Sequence, residues 1–244
     1  ILCLPGQQEA LLDTLQKAGK PLVVVLMNGR PLCLEKIDKQ ADALLEAWFP
    51  GTQCGNAVAD ILFGDTTPSA KLTASFPLTE GQIPNYYNYK RSGRPGDMPY
   101  SSTVRHIDVP NKNLYPFGYG LSYTSFAYGK MQCASQFDAD GVLQVAVDVT
   151  NKGNVDGEEI VQLYVADKVA SMVRPVKELK GFKKVFIPKG NTKHVEFTLH
   201  ARDLGFWDNN MQYIVEPGTF TVMVGANSED LQQQDVVWDG KEKQ

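Results

Sequence analysis

Asn28 and Arg30 directly follow the apolar run Pro21-Leu-Val-Val-Val-Leu-Met27, with Gly29 between them and Pro31 behind. A guanidinium offers a fixed fork of donors suited to ligand hydroxyls, and open α/β sheets place ligands beyond the carboxyl ends of their strands. The plainer alternative is a tight turn held by Gly29, with Arg30 paired to a carboxylate at a domain interface. Trp48 could stack on the C–H face of a pyranose, although an indole in an apolar stretch packs more naturally in a core. Glu158 and Glu159 are neighbouring carboxylates of the kind acid/base chemistry uses. Adjacent strand residues point to opposite faces, so these two do not flank one bond, and a solvated strand end accounts for them. Arg174, Lys177, Lys180, Lys183 and Lys184 are spaced as one solvated face rather than as a polyanion site.

His106, His194 and His200 lack metal-ligand spacing, and no glycine-rich loop has the spacing of a phosphate cradle. No metal and no cofactor are therefore expected. Cys3, Cys33, Cys54 and Cys133 are widely scattered without a C-x-x-C pair. They read as mostly free thiols, neither a disulfide framework nor a zinc site.

The segments that would position these side chains change character along the chain. Gln7 to Lys17 reads as a helix, with Leu11, Leu12 and Leu15 at helical spacing and Gly19 ending it. Leu22 to Met27 reads as a parallel strand covered on both faces. Ala41 to Phe49 fits helix or strand, and its apolar run closed by Pro50-Gly51 favours a second buried strand. Asn56 to Phe63 is a short helix capped by Gly64, and Leu72 to Phe76 one more short strand. So few strands cannot cover and close a parallel sheet, so further strands are expected from preceding polypeptide or from another chain. The start at Ile1, without Met or a basic-then-apolar signal, suggests the later part of something longer.

Thr79 to Asn113 is rich in Pro, Gly, Tyr, Asn and Ser, and reads as a long ordered loop that reaches a site or packs across a neighbour. Tyr100, Arg105 and Asp108 lie in it. Leu114 to Phe126 interleaves aromatic rings with Gly118 and Gly120, as an ordered joint should. Beyond it the pattern alternates with period two over 142–149, 160–165, 183–187, 193–199 and 219–224, with turn signals such as Asn151-Lys-Gly153 and Glu216-Pro-Gly218 between. That pattern predicts a β-sandwich of immunoglobulin or fibronectin type III shape; the absence of a Cys–Trp–Cys pattern favours the latter. Tyr164, Phe182, Phe186 and Phe197 are expected to face inward. The expected organisation is α/β over 1–78, a connector over 79–125 and an all-β sandwich over 126–244.

The 244 residues, 43% hydrophobic and 21% charged, have the composition of a soluble globular protein. A formal charge of −4 argues against a nucleic-acid partner, and no apolar run has the length of a membrane-spanning helix.

The ordered series Leu4-Pro-Gly-Gln-Gln, Gly19-Lys-Pro-Leu-Val-Val-Val-Leu-Met-Asn-Gly-Arg-Pro-Leu32, Trp48-Phe-Pro-Gly51, Leu62-Phe-Gly-Asp65, Ser75-Phe-Pro77 and Tyr115-Pro-Phe-Gly-Tyr-Gly-Leu-Ser-Tyr-Thr124 resembles glycoside hydrolase family 3. Arg174-Pro-Val-Lys-Glu-Leu-Lys-Gly-Phe182 and Glu216-Pro-Gly-Thr-Phe220 extend the likeness to nearly the whole chain, on the side of the bacterial periplasmic β-glucosidases. The departures are small: Gln53-Cys54 stands where the family usually has Glu-Gly, and Ala70 where it has Gly. The resemblance implies a (β/α)-barrel, an α/β sandwich and a fibronectin type III-like domain, with this chain covering the end of the second part and the third. It places the nucleophilic Asp on the barrel and the acid/base Glu just before the Leu4-Pro-Gly motif, so no residue here is assigned a catalytic role; Glu9 matches no catalytic motif.

Asn28, Arg30, Tyr100, Arg105 and Asp108 remain as substrate-binding candidates, the segment from Arg105 to Asp108 being similar to one that precedes the aromatic joint in the family. The implied partner is an oligosaccharide or aryl β-glucoside shared with the barrel, the implied location periplasmic or secreted, and a homodimer is one assembly open to it. The alternative is a non-catalytic carbohydrate-binding or structural interaction module.

Overall fold

The computed structural model describes residues 2–94, 106 and 108–241. The first part contains helix α1 (Gln8–Gln16), strand β1 (Val23–Leu26), helix α2 (Glu35–Gln40), strand β2 (Ala43–Glu46) and helix α3 (Cys54–Phe63). β1 and β2 pair in parallel from Val23↔Ala43 to Leu26↔Glu46, which settles the ambiguous stretch after Ala41 as strand. Leu12, Leu26, Leu32, Leu34, Ile37 and Phe76 form the core beneath them. Gly19 and Gly64 both sit at positive φ where α1 and α3 end, the left-handed conformation that favours glycine.

One expectation for this part needs correction, and one helix was not anticipated. Within this chain the parallel strands keep uncovered faces, with Val23 and Ala43 exposed, Leu26 their one buried residue and α3 contributing none, as is expected of a sheet that further polypeptide completes. Helix α2 was not foreseen, because Ile37 is its only buried residue and it carries no apolar period. Ile37 anchors it in the core, and an i,i+4 pair of Lys39 with Glu35 at 2.7 Å and a bond from Lys36 to Asp13 on α1 at 2.8 Å add modestly to that. Leu72 to Phe76 is not a sheet strand. It runs against the aromatic joint through a Phe76↔Tyr115 bridge, with Gly118 N–H donating to Leu72 O and Leu72 N–H to Tyr119 O, each at 2.8 Å. Pro77 and Pro116 lack the donors that would extend the ladder.

The second part is a two-sheet sandwich. Strands β3 (Phe126–Tyr128), β4 (Gln132–Cys133), β5 (Val142–Asn151) and β8 (Thr192–His200) form one sheet, with β3 and β4 along one edge of β5 and β8 along the other. Strands β6 (Gly157–Asp167), β7 (Glu178–Ile187), β11 (Gly218–Gly225) and β12 (Leu231–Trp238) form the second, in the order β12-β11-β6-β7. A two-stranded hairpin, β9 (Phe206–Trp207) with β10 (Tyr213–Ile214), lies between β8 and β11 in the chain. Val147, Val161, Leu163, Val195, Phe197 and Val222 belong to the buried layer between the sheets. Phe197 is buried between the sheets as expected, but Phe182 (64% exposed) and Phe186 (55% exposed) are not, and Tyr164 is buried on the outer face of its sheet against Tyr87 instead of between the sheets. β7 is an edge strand, and these two share the outward parity of Lys184 while Ile187 points in.

The basic run likewise fails to form one solvated face. Arg174 bonds Glu178 at 2.8 Å and lies over the Phe206 ring, Lys183 lies over Phe197, Lys184 pairs with Glu158, and Lys177 donates to Ser228 O.

The joint locks the two parts together. Tyr115 bonds Asp38 and stacks on Tyr119, with centroids 5.3 Å apart. Phe117 faces the other way, stacked on Tyr87 at 4.3 Å, while Tyr87 meets Tyr164 of β6 edge-on at 5.7 Å. Gly118, at φ +80°, lets Gln162 Nε2 donate to its carbonyl at 3.1 Å; any Cβ there would overlap the Gln162 amide. Beside it, Lys71 Nζ donates to Gly120 O at 3.0 Å and pairs with Glu159 Oε1 at 3.2 Å, their side chains only 12% and 4% exposed. Tyr128 OH donates to the same carboxylate at 2.9 Å.

Removing one partner of a buried ion pair leaves an uncompensated charge. Lys71→Met should therefore cost about 3–5 kcal/mol in guanidinium unfolding, whereas Lys71→Met/Glu159→Gln, which keeps an acceptor for Tyr128, should recover most of that loss. A double variant as unstable as the single one would refute the account. Gly118→Ala should cost at least about 1–3 kcal/mol from backbone strain alone, read as a lower denaturation midpoint with no change in the unfolding slope.

Candidate functional site at the carboxyl edge of the parallel strands

Because β1 and β2 run in parallel, their carboxyl ends lie side by side, and Ala47 N–H carries the ladder one bond further to Leu26 O at 2.9 Å. Asn28-Gly29-Arg30 leaves β1 here and Ala47-Trp48-Phe49 leaves β2. The Asn28 side chain turns back, donating from Nδ2 to Arg30 O at 2.8 Å, so it braces the turn. Arg30 is exposed at the crest.

Glu46, the last residue of β2, accepts Trp48 N–H on Oε1 at 2.9 Å. Burial pushes its carboxyl above the usual range, and bonds from Trp48 N–H and the Asn28 side chain work against that rise. Among the described residues, no donor reaches the buried Glu46 Oε2 or Asn28 Oδ1. Trp48 adopts φ +51°, a region bulky residues occupy only where the surroundings impose it. Its ring lies 5.7 Å from that of Phe76 and belongs with the core, the plainer of the two expectations for it. Phe49 is 81% exposed, and its ring covers Gly29, where a Cβ would meet it at 2.6 Å. The edge thus combines a guanidinium, an amide, one carboxyl and an uncovered ring, a set suited to holding hydroxyls and a sugar face.

The other candidates lie elsewhere. Asp108 is exposed on a loop that a bond from His106 N–H to Asn111 Oδ1 closes at 3.0 Å. Tyr100 and Arg105 fall outside the described residues. A cleft of about 1300 Å³ between connector and sandwich is lined by Tyr86, Tyr89, Arg91, His106 and Lys168, among others, but not by Asn28 or Arg30. Glu158 and Glu159 do lie on opposite faces of β6: Glu158 pairs outward with Lys184 at 2.8 Å, while Glu159 is buried on Lys71 rather than solvated. Among the described residues no group of three His, Cys, Asp or Glu is arranged to hold a metal.

Sequence reasoning missed Glu46, Lys71 and Glu159 as functional or organising groups. Glu46 had a legible signal, a lone carboxylate ending an apolar run opposite Asn28. The burial of Lys71 and Glu159 depends on a pairing 88 positions apart and had none.

Comparisons with known proteins identify the family of the chain. The Glycosyl hydrolase family 3 C-terminal domain matches residues 2–123, and the Fibronectin type III-like domain matches residues 159–228. A periplasmic beta-glucosidase from Salmonella typhimurium is 48% identical over 95% of this chain and 31% of its own length. A beta-xylosidase from Formosa agariphila is 43% identical over 93% of this chain and 31% of its own. The crystal structure of a beta-glucosidase from Listeria innocua in complex with glucose superimposes with a TM-score of 0.93 at 41% identity, covering 99% of this chain and 34% of that one. The chain spans about a third of the length of these relatives. With its α/β part matched as the family's C-terminal domain and its sandwich as the fibronectin type III-like one, this chain belongs to glycoside hydrolase family 3.

Proposed function

We propose that this chain is the C-terminal region of a retaining β-glucosidase-like enzyme acting on β-linked glucosides or oligosaccharides, in which a barrel carries the nucleophile. The observation that carries this reading is the superposition on a glucose-bound beta-glucosidase over 99% of the chain. Retaining hydrolysis needs two carboxyls about 5–5.5 Å apart, and the roles proposed for this region are different ones. The carboxyl edge with Asn28 and Arg30 forms part of the sugar-binding wall, Asp108 reaches its rim, and the Lys71–Glu159 pair holds that wall at a fixed angle to the sandwich. The proposed parts are residues 1–78, 79–125 and 126–244. A periplasmic or secreted location is part of the same reading, supported by the name of the Salmonella relative.

A second reading has one specific observation in its favour. Phe182 and Phe186, uncovered on the same side of β7, could form an aromatic strip for a non-catalytic carbohydrate-binding module. Loss of oligosaccharide binding in calorimetry on Phe182→Ala/Phe186→Ala would favour it over the first.

The purified 244-residue chain should release no nitrophenol from an aryl β-glucoside; enzyme-like turnover would sink the first reading. In a barrel-bearing polypeptide, Arg30→Ala should raise KM roughly tenfold with kcat little changed, the loss of one charge-assisted hydrogen bond. An unchanged KM would remove the edge from the sugar-binding wall.

A further inference from the structure

Residues 2–4 and 32–34 lie side by side, with Cys33 N–H donating to Leu2 O at 2.8 Å. Leu2 N–H in turn donates to the Glu80 carboxylate, so the first segment is held from two directions. In both triplets the flanking leucines turn inward: Leu32 and Leu34 are buried, Leu2 and Leu4 half-buried, and Leu4 packs on the core. Cys3 and Cys33 occupy the middle positions, the first exposed and the second half-buried, both with free thiols. With the leucines on either side of each cysteine turned inward, both thiols are left on the outer side of the two segments. The Cys33 N–H meets the carbonyl of the peptide that leads into Cys3, which brings the two residues near the roughly 4.4–6.8 Å between Cα atoms that a disulfide spans.

We infer that Cys3 and Cys33 close a disulfide when the chain meets a disulfide donor, whether a small molecule or a protein. The exposed Cys3 thiolate attacks one sulfur of the donor, forming a mixed disulfide and expelling a donor thiolate. The Cys33 thiolate then attacks Cys3 Sγ and expels the second donor thiolate. The two cysteines together give up two protons and two electrons, and the donor disulfide becomes two thiols. Burial pushes the Cys33 thiol up, and the neighbouring Cys3 and Glu80 push it the same way. The second step is therefore the slow one, and it accelerates as pH rises. Cys133 is a poor competitor: burial raises its thiol to about 11, and it bonds Ala134 O at 3.3 Å. Cys54 is the first residue of α3. The bond would enclose α1 and β1 in one covalent loop and tie the N-terminal segment to the turn that follows Asn28 and Arg30.

The test uses the intact chain, oxidised glutathione and a dithiothreitol control. After alkylation and proteolysis without reductant, mass spectrometry should find the Cys3 and Cys33 peptides joined and lighter by two hydrogens, with Cys54 and Cys133 alkylated. The oxidised chain should melt higher by roughly 5 °C or more, an increase abolished by dithiothreitol and by Cys33→Ser but kept in Cys133→Ser. Joining should speed up between pH 7 and pH 9. Alkylation of all four cysteines, a glutathione adduct persisting on Cys3, or links spread over other pairs would each overturn the inference.

Discussion

Residues 115–120 must satisfy two surfaces at once, and the layout of the chain follows from that demand. Their backbone is bonded to Leu72–Phe76, which fixes register. With side chains alternating, that register sends Tyr115 and Tyr119 toward Asp38 and Phe76, and Phe117 toward Tyr87 and Tyr164. A slip of one residue would exchange the two sets and place a ring where Gly118 meets Gln162 or where Gly120 meets the Ala70 carbonyl. Aromatic rings and glycines therefore cannot trade places, and the joint has one solution.

The ion pair beside the joint adds direction to what apolar contact leaves free. Burial of rings is strong but non-directional, so stacked tyrosines alone would permit sliding. Lys71 reaches Glu159 and Gly120 O together, and Tyr128 closes the carboxylate from β3. Each bond comes from a different stretch of chain, and all are made at one relative orientation. The desolvation of two charges is a cost that this arrangement converts into a defined angle between parallel strands and sandwich.

Much of this was legible in the sequence, for reasons tied to particular residues. The alternation over 142–149 and 219–224 survives as β5 and β11 because a two-sided sandwich preserves period two. Gly19 and Gly64 marked helix ends because both need positive φ. Helix α2 escaped notice because six residues with one apolar anchor, Ile37, make no period, and Leu72–Phe76 was misassigned because its partner is the joint, not a sheet. Phe182 and Phe186 misled because inward and outward parity look alike in sequence; only the register of β7 against β6 separates them. For the candidate edge, Asn28 and Arg30 were visible from strand order, while the orphaned oxygens of Asn28 and Glu46 belong to tertiary structure alone.

β1 and β2 are four residues long, against ten and nine for the paired β5 and β8. Short ladders with half-covered faces open at lower free energy than long buried ones, so amide hydrogens of Val23–Leu26 exchange with solvent well before those of the sandwich. The backbone that carries Asn28 and Arg30 is thus held by a shorter ladder than the long strands of the sandwich on which it is mounted. Opening at the parallel pair can therefore leave the sandwich intact, which gives that edge room to adjust to the surface it packs against.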